Sequence, residues 1–255
     1  MPDPVFDDPR LAAVYDALDP DRSDLDAYVA MVDEFGARRI LDVGCGTGTL
    51  AIRLARRGLD VTGTDPAAAS VDVARRKPHG DLVRWVDGDA PSLAARLPAL
   101  GADVAVMTAN VAQVFVDDES WQRTLQAIHT LLAAGGRLVF ETRIPERRAW
   151  ERWNGPGADV EVPGIGRVSD SYEVLDVEEL DDGDVIVTFS SPTRFHADDQ
   201  TGDHTDDIVD SVSTLRFRTR NAIETSLVQA GFTVEDVRDA PDRPGAEWVF
   251  IARRT

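Results

Sequence analysis

A short stretch of the sequence, ILDVGCGTGTLA over residues 40–51, has glycine at every second position of its central part, three times in all. These positions are Gly44, Gly46 and Gly48, and they stand between an apolar run and a helical pattern. Glycine has no Cβ, so a ligand can lie directly against the backbone there. Asp42 stands just before the loop, and a carboxylate suits a ligand with positive charge better than one with phosphates. The stretch therefore predicts a site for a nucleoside with a cationic tail.

The same glycine spacing bears on dinucleotide binding. In the dinucleotide fingerprint the glycines follow G-x-G-x-x-G, and the pyrophosphate rests on a helix N-terminus. Here Thr49 occupies the position of the third glycine. Lys77 is the only lysine of the chain, and no Ser/Tyr-Lys hydride-transfer site is evident. The sequence therefore disfavours a nicotinamide or flavin dinucleotide.

Alternating strands and helices are predicted to hold these residues. Apolar runs indicate five strands, separated by helical patterns, in RRILDVG, DVTGTD, LVRWVDGDA, ADVAVMTAN and RLVFETR. Such alternation is typical of a parallel sheet with helices on both faces. Two helices over residues 11–35 precede the first strand, and a helix that ends in a Gly pair precedes the fifth. Near the end of the chain, TVEDVRDA and EWVFIARR predict a hairpin that adds an antiparallel strand.

The pattern changes between about Trp150 and Thr219. Three β-rich runs, VSDSYEVLDVEEL, DVIVTFSS and SVSTLRFRT, are separated by Asp/Gly turns without a helix between them. This pattern predicts an antiparallel insert. We expect residues 1–150 and 217–255 to form one domain, in which residues 1–36 are an N-terminal helical lid. Residues 151–216 are the inserted β cap of the same domain, and they either cover an acceptor pocket or form a dimer face.

Composition favours a folded protein that acts on a small molecule. The 255 residues are 43% hydrophobic and 29% charged, which is ordinary for a globular α/β domain. A formal net charge of -19 opposes binding to nucleic acid or anionic lipid, because phosphate binding relies on clustered Lys and Arg. No signal peptide or membrane span is recognisable, so we expect a cytoplasmic monomer or homodimer. Cys45 is the single cysteine, which excludes an internal disulfide, and no metal site is predicted.

The motifs resemble those of the class I S-adenosylmethionine-dependent methyltransferases, in particular the broad small-molecule group. LDVGCGTGTLA is similar to the first motif of that family, GTDPAAASVDVAR to the second, WVDGDAPSL to the adenine-contacting segment and LLAAGGRLVFETR to the fifth-strand segment. The resemblance covers roughly residues 40–143 and 221–253. It implies an α/β, Rossmann-like sheet of seven mostly parallel strands with an antiparallel last strand, helices on both faces and an antiparallel β insert after strand 5. It also implies methyl transfer from S-adenosylmethionine to N, O or C of a small-molecule acceptor.

The same resemblance implies roles for individual residues. The three glycines face the cofactor, Asp65 accepts hydrogen bonds from both ribose hydroxyls, and Asp89 contacts the adenine amine. Tyr15 closes the site as part of the lid, and Arg22 reaches the methionine carboxylate. The expected cofactor set is Tyr15, Arg22, Asp42, Gly44, Cys45, Gly46, Gly48, Asp65, Pro66, Asp89, Ala90 and Asn110.

Structural roles compete with several of these assignments. Asp65 also fits a helix N-cap, with Pro66 at the first helical position, and Asp89 fits the cap of the next helix. Tyr15 also fits the apolar stripe of its helix. Cys45 is expected to fill space, because no base is paired with it.

The acceptor is expected to bind after the fourth and fifth strands. Asn110, Glu141 and Arg143 are the candidates for catalysis, although the sequence identifies no general base. Asn110 also fits a strand-end cap, and Arg143 either binds an acceptor carboxylate or pairs with Glu141 or Glu146. The tryptophans of this region either form a pocket wall or pack in the core. The expected substrate pocket is Gln113, Arg143, Trp150 and Trp153.

Two further features leave alternatives open. The segment HADDQTGDHTDD over residues 196–207 contains two histidines and five aspartates, which we interpret as a solvated hairpin tip rather than a metal site. A non-catalytic S-adenosylmethionine-binding regulatory or assembly protein would share the cofactor motifs. An NAD(P)-dependent oxidoreductase is the third alternative.

Overall fold

The first part of the chain alternates helices and strands. The computed structural model describes residues 3–197 and 206–255. In chain order the elements are α1 (Pro4–Asp7), α2 (Pro9–Leu18), α3 (Asp26–Glu34), β1 (Arg39–Val43), α4 (Thr49–Ala55), β2 (Asp60–Asp65), α5 (Ala68–Arg76), β3 (Arg84–Asp87), α6 (Ala90–Arg96), β4 (Ala102–Met107), α7 (Asp118–Leu131) and β5 (Leu132–Arg143).

The second part begins with strands only. These are β6 (Gly155–Val162), β7 (Gly166–Glu179), β8 (Val185–Ser190), β9 (Thr193–Phe195), β10 (Asp207–Val209) and β11 (Val212–Phe217). The chain then continues through α8 (Arg220–Gln229), β12 (Phe232–Asp239) and β13 (Glu247–Arg254). Short 3-10 turns connect several elements, among them Val111–Val114 after β4 and Ala149–Arg152 after β5.

The main sheet has seven strands in the order β12-β13-β5-β4-β1-β2-β3. Strands β1 to β5 are parallel, whereas β13 lies antiparallel to both β5 and β12. The predicted fold class is therefore confirmed, including the antiparallel last strand. The arrangement brings the carboxyl ends of β1, β2 and β4 to one edge of the sheet, where ligands bind in open α/β sheets.

The insert after β5 is an antiparallel sheet. Within the described residues its strand order is β10-β9-β7-β8-β11. Strand β6 pairs with the other edge of β7, since Val168 and Ser169 of β7 pair with both β6 and β9. The long strand β7 supports both halves, because it pairs with β8 as well. The sequence predicted β7, β8 and β11, whereas β6, β9 and β10 carry too little apolar alternation to be recognised.

One helix boundary differs from the sequence prediction. We predicted that the helix before the fifth strand ends in the Gly pair, but α7 ends at Leu131 and β5 begins at Leu132. Leu132 already pairs with Ala102, and the register then shifts before Val104 pairs with Arg137. Gly135, with φ of 74°, lies in this irregularity. The Gly pair therefore belongs to the strand, because pairing with β4 overrides the local helix-end signal.

Two apolar cores fill the two faces of the main sheet. On one face, side chains of α6, α7 and α8 pack against β1, β4, β5 and β13. On the other face, α3 and α4 pack against Ile40, Val104, Val106, Val139 and Val249. In the described part of the chain, no helix combines the length and apolar character needed to cross a membrane.

Candidate active site

The glycine loop between β1 and α4 has three left-handed backbone positions. Gly44, Gly46 and Gly48 have φ of 71°, 51° and 79°, a region that favours glycine. A Cβ on Gly44 would lie 2.6 Å from Val111 Cγ2, and one on Gly48 would meet the ring of Trp85. At Gly46, by contrast, no other described side chain or backbone atom lies within 4 Å of such a Cβ. Gly46 is therefore the glycine at which a ligand can approach the backbone.

Asp65, the last residue of β2, supports this loop. Its Oδ2 accepts a hydrogen bond of 2.8 Å from the Gly46 amide, and its Oδ1 accepts one of 2.8 Å from the Ala67 amide. The side chain is 8% exposed, and burial raises the pKa of its carboxyl group. A carboxylate has about four acceptor positions, so two remain for hydroxyl groups of a ligand.

The alternative role of Asp65 as a helix cap is wrong. Helix α5 begins at Ala68, and its N-cap residue is Ala67. Pro66 therefore precedes the helix, and it lies exposed to solvent. The Asp65 carboxylate instead joins the loop after β1 to the loop after β2, a contact between neighbouring strands that sequence spacing does not show.

Asp42 is a buried carboxylate at the end of β1. It is 1% exposed, and its Oδ1 has no hydrogen-bond partner among the described residues. Burial, and then the nearby charge of Asp65, raise the pKa of Asp42 to about 7. Such a group becomes more stable as a carboxylate when a cation binds beside it. The cationic ligand predicted from the sequence would supply that charge.

The remaining residues of the predicted cofactor set differ in exposure. Asp89 caps α6, since its Oδ1 accepts a hydrogen bond of 2.9 Å from the Ser92 amide. Its side chain is exposed, and contact with adenine stays a prediction. Ala90 and Cys45 are buried, at 1% and 8% exposure. Burial also raises the pKa of the Cys45 thiol well above its usual value, as expected for a residue that fills space.

Helix α2 is anchored to the glycine loop by a residue that the sequence analysis missed. The Thr47 hydroxyl donates a hydrogen bond of 2.7 Å to Asp16 Oδ1, and Lys77 forms an ion pair with the other carboxylate oxygen. The Ser70 hydroxyl donates a hydrogen bond of 2.6 Å to the Phe6 carbonyl just before α2. No motif marks Asp16, because its partners lie in the loop and beyond α5.

The same N-terminal segment also contacts the insert. Val14 packs with Val162 and Val168 of β6 and β7. The Val5 amide donates a hydrogen bond of 3.1 Å to the Ser211 hydroxyl, and Arg10 pairs with Asp207. The segment of residues 3–18 thus bridges the glycine loop and the insert, as a lid would.

Tyr15, in α2, and Arg22, which follows this segment, lie close to each other. The Tyr15 ring lies 6.0 Å from the ring of Phe6, and burial raises the pKa of its hydroxyl. Arg22 Nε lies 3.4 Å from Asp24 Oδ1, and its charge acts on both Tyr15 and Asp42. Arg22 therefore lies near the Asp42 carboxylate and near Tyr15, while contacts of Tyr15 and Arg22 with a cofactor stay predictions.

The loss of the Asp16 contacts is expected to loosen the lid. We expect Asp16→Ala to raise the Kd for S-adenosylmethionine about five- to thirtyfold, because one or two hydrogen bonds at about 1 kcal/mol each are lost. Calorimetric titration measures the change. Asp8→Ala, which removes the cap of the same helix, is the control for general loss of helix stability. Equal affinity in the parent protein and Asp16→Ala would contradict a role of this contact in cofactor binding.

One face of the main sheet becomes polar towards its carboxyl edge. Asp42 pairs with Val106, and Val106 pairs with Val139 on the same face. Along β5, Glu141 and Arg143 follow Val139 at alternate positions, so they project from that face too. The apolar layer under α3 and α4 thus gives way to charged side chains beneath the N-terminal segment.

Asn110 is held in a strained loop after β4. Ala109 and Asn110 have φ of 56° and 59°, a conformation that costs non-glycine residues about 1–3 kcal/mol unless neighbours fix it. The Asn110 amide donates a hydrogen bond of 3.0 Å to Glu141 Oε1, and its Nδ2 lies 3.3 Å from Glu247 Oε1. Asn110 is 3% exposed. These bonds establish a structural role for Asn110 at the strand end.

Glu141 is the strongest candidate for a group that exchanges a proton. It is 5% exposed, and its Oε2 has no hydrogen-bond partner within the described part of the chain. Burial raises the pKa of Glu141 to about 8. A carboxyl group with such a pKa is protonated at pH 7 and can accept a proton at slightly higher pH.

Arg143 does not form the ion pairs proposed from the sequence. Its Nη1 donates a hydrogen bond of 2.9 Å to Gln113 Oε1, and its Nε lies 3.5 Å from Glu247 Oε1. The guanidinium carbon lies 5.1 Å from the ring centre of Trp153. The partner is thus Glu247 rather than Glu141 or Glu146, because β13 pairs with β5 and places Glu247 opposite Arg143.

A cavity of about 280 Å³ opens beside Arg143, between the main sheet and the insert. Trp153 lines this cavity, and its place in a substrate pocket stays a prediction. Trp150 is 2% exposed and packs edge-on against Phe217 at 4.7 Å, so it belongs to the core. Gln113 is fully buried and holds Arg143 in place. We therefore retain Arg143 and Trp153 as pocket residues, and assign Trp150 and Gln113 supporting roles.

The acidic segment of residues 196–207 lies mostly outside the described residues, which omit 198–205. The predicted hairpin tip is therefore not described. In the described ranges, no group of three His, Cys, Asp or Glu side chains is arranged to hold a metal ion.

Comparison with known proteins supports the interpretation of the loop. Residues 40–136 match the family described as the methyltransferase domain. These residues are therefore similar to a methyltransferase domain. They include the glycine loop, Asp65 and the segment that contains Asp89, and the whole chain has the class I fold of S-adenosylmethionine-dependent methyltransferases, as the motifs predicted.

Individual relatives extend this comparison. An uncharacterized methyltransferase of Mycobacterium tuberculosis is 35% identical over 130 residues, which are 51% of this chain and 58% of the relative. The chain spans about half the length of the curated relatives that it matches.

Two solved structures resemble the whole chain. An S-adenosylmethionine-dependent methyltransferase from Clostridium acetobutylicum has a TM-score of 0.75 at 15% identity, covering 96% of this chain and 98% of its own. An amino pentose methyltransferase from Micromonospora echinaspora, solved with bound S-adenosylmethionine, has a TM-score of 0.72 at 22% identity, covering 95% and 97%. At these identities the likeness shows the fold. S-adenosylmethionine, the cofactor predicted from the motifs, is bound in the second of these structures.

Proposed function

We propose that this chain transfers the methyl group of S-adenosylmethionine to N, O or C of a small-molecule acceptor. One observation carries the proposal: the open backbone at Gly46 is bonded to the buried Asp65, and a second buried carboxylate, Asp42, lies near Asp65 at the carboxyl edge of a parallel sheet. The similarity to a methyltransferase domain supports it. A buried carboxylate with an unpartnered oxygen is costly, and a ligand with hydroxyl groups and a positive charge would satisfy both aspartates.

The residues present fit this cofactor. Asp65 has acceptor positions left for ribose hydroxyls, and Asp42 would face the cationic part. Gly46 would let the cofactor lie against the loop, and Arg22 would bind its carboxylate. When bound, the cofactor supplies an activated methyl group on a sulfonium, so the reaction needs alignment more than acid or base catalysis.

The contribution of the chain would then be positioning and exclusion of water. The segment of residues 3–18 covers the loop, and the insert forms the far wall of the cavity beside Arg143. In its ionised form, Glu141 Oε2 would accept a proton if the acceptor arrives protonated. Asn110 would position Glu141 through the hydrogen bond between its amide and Glu141 Oε1.

The cavity favours catalysis over binding alone. A purely regulatory protein would not need a second pocket, and this chain has one of about 280 Å³ next to Arg143. The amino pentose methyltransferase has an amino sugar as its substrate, according to its description. A nitrogen acceptor is accordingly one of the three attacking atoms that we propose.

The first test is calorimetric titration with S-adenosylmethionine, S-adenosylhomocysteine and NAD in parallel. We expect micromolar binding of both adenosyl compounds and no binding of NAD. Acceptor-dependent formation of S-adenosylhomocysteine from a panel of amines, phenols and carboxylic acids would then demonstrate turnover. Binding of NAD instead of the adenosyl compounds would favour an oxidoreductase. Cofactor binding without turnover on any acceptor would favour a regulatory protein.

A matched pair of glycine variants tests whether the cofactor binds at Gly46. Gly36 also has a positive φ, 61°, and open space around its Cα, so Gly36→Val and Gly46→Val impose similar backbone strain. We expect Gly46→Val to raise the Kd for S-adenosylhomocysteine at least about thirtyfold, because its side chain fills the ligand space. Gly36→Val should bind with nearly the parent affinity. Equal losses in both variants would mean that strain alone explains the effect.

A further inference from the structure

The cavity beside Arg143 has a lining that is unusual for this chain. It lies where β5 ends, and residues of the insert complete it. Its charged lining residues are Arg143 and Arg152, and its aromatic ones are Trp153, Tyr172 and Phe189. No Asp or Glu of the described residues lines it. In a chain with 46 acidic and 27 basic residues, a cavity lined only by positive charges points to an anionic ligand.

Arg143 is held in place by some of its hydrogen-bond donors, while another remains available to a ligand. Gln113 and Glu247 engage its Nη1 and Nε, and the guanidinium lies over the Trp153 ring. Its Nη2 donates to no described residue and belongs to a side chain that lines the cavity. A guanidinium fixed in this way has already lost most of its conformational freedom, so little entropy is lost when it binds a carboxylate.

The charges around Arg143 do not cancel. Glu247 contacts two guanidinium groups, those of Arg143 and Arg243. Glu141, the nearest other acid on this face, is mostly uncharged at pH 7 because burial raises its pKa to about 8. Arg152 forms no ion pair with any described Asp or Glu. The side chains that line the cavity therefore carry a net positive charge at neutral pH.

The aromatic side chains give the cavity flat apolar walls. The rings of Trp153 and Phe189 lie 5.1 Å apart at an angle of 64°, so they form a corner. The Tyr172 hydroxyl donates a hydrogen bond of 2.8 Å to Asp170, which fixes this ring as well. A cavity of about 280 Å³ is below the size usual for drug-sized ligands. A single planar ring suits this shape.

We infer that the acceptor is a compact planar-ring compound that carries a carboxylate, and that Arg143 and Arg152 bind this carboxylate. The inference rests on the proposed function, since it names the acceptor class of the same site. In this arrangement Arg143 sets the orientation of the ring, and Arg152 closes the outer side of the anion site. The N or O nucleophile would lie on the part of the ring away from the carboxylate.

A matched pair of probes tests the anion preference. We would titrate 4-hydroxybenzoate and its neutral analogue 4-hydroxybenzamide into the protein alone and into the protein saturated with S-adenosylhomocysteine. Quenching of tryptophan fluorescence would report binding, because Trp153 lines the cavity. The benzoate should bind at least about tenfold more tightly than the benzamide, as expected for charge-assisted hydrogen bonds to arginine.

Variants of Arg152 test whether this side chain causes the preference for the benzoate. Arg152 is exposed, so its replacement should not disturb folding. We expect Arg152→Gln to reduce the preference for the benzoate about threefold or more, and Arg152→Glu to abolish it. Arg147→Gln is the control, since Arg147 is exposed in the preceding turn and does not line the cavity. It should leave the preference unchanged.

The outcomes separate the inference from the proposed function. Equal affinities for the two probes, no binding of either up to millimolar concentration, or an unchanged preference in Arg152→Glu would overturn the inference. Failure of S-adenosylhomocysteine to bind the folded protein would instead overturn the proposed function, whatever the probes do. Weaker cofactor binding in Arg152→Glu, without any change for the probes, would assign the arginine to the cofactor rather than the acceptor.

Discussion

Replacing Asp65 with alanine is expected to raise the Kd for S-adenosylmethionine between about ten- and a hundredfold. The two ribose hydroxyl groups of the cofactor would lose a charged hydrogen-bond acceptor, which is worth about 1.5–3 kcal/mol. The structure adds a second cause, because the same carboxylate holds the Gly46 amide at 2.8 Å. Calorimetric titration of the folded variant gives the affinity directly.

Two further variants control this experiment. Asp60→Ala changes an exposed aspartate at the other end of β2 and should leave the affinity unchanged. Asp65→Asn keeps one oxygen to accept a hydrogen bond but loses the charge, so its Kd should lie between those of the parent and Asp65→Ala. Unchanged affinity in a folded Asp65→Ala variant would remove Asp65 from the cofactor site.

The Glu141→Gln variant is expected to be less sensitive to alkaline pH than the parent protein. The carboxyl group titrates near 4.5 when unfolded and near 8 in the folded protein, so the folded state binds an extra proton between these values. The free energy of unfolding must then fall as the pH rises through this window. The shift in the pKa of Glu141 corresponds to a loss of at most about 4–5 kcal/mol of unfolding free energy. Glutamine does not titrate, so the variant lacks this loss.

Denaturant unfolding at pH 5, 7 and 9 measures this effect. Between pH 5 and pH 9, the unfolding free energy of the variant should fall by about 2–4 kcal/mol less than that of the parent. A constant cost of burying the glutamine amide cancels in this comparison. Asp42, whose pKa is raised to about 7, should leave a residual slope of the same sign.

The control for this prediction is Glu146→Gln, which changes an exposed glutamate in the turn after β5. Its pH dependence should match that of the parent protein. If the difference between Glu141→Gln and the parent were the same at pH 5 and pH 9, Glu141 would not titrate across this range, and its role as a proton acceptor would lose its basis.

The sequence determined the features that depend on local periodicity and on fixed spacing. The alternation of apolar strands with helical patterns predicted the parallel sheet, and the run ending in Gly44, Gly46 and Gly48 predicted the ligand loop. Asp42 and Asp65 could be identified because each lies in the last two residues of a strand. Such features need only neighbours along the chain and the rule that parallel strands place their carboxyl ends at one edge.

Only the tertiary structure decided the partners of charged and aromatic side chains. Arg143 pairs with Glu247 because β13 lies against β5, and Asp16 holds Thr47 because α2 crosses the glycine loop. Trp150 and Trp153 are three residues apart, yet one packs in the core and the other lines the cavity. These contacts join residues far apart in the chain, and their energies depend on burial, which no local pattern specifies.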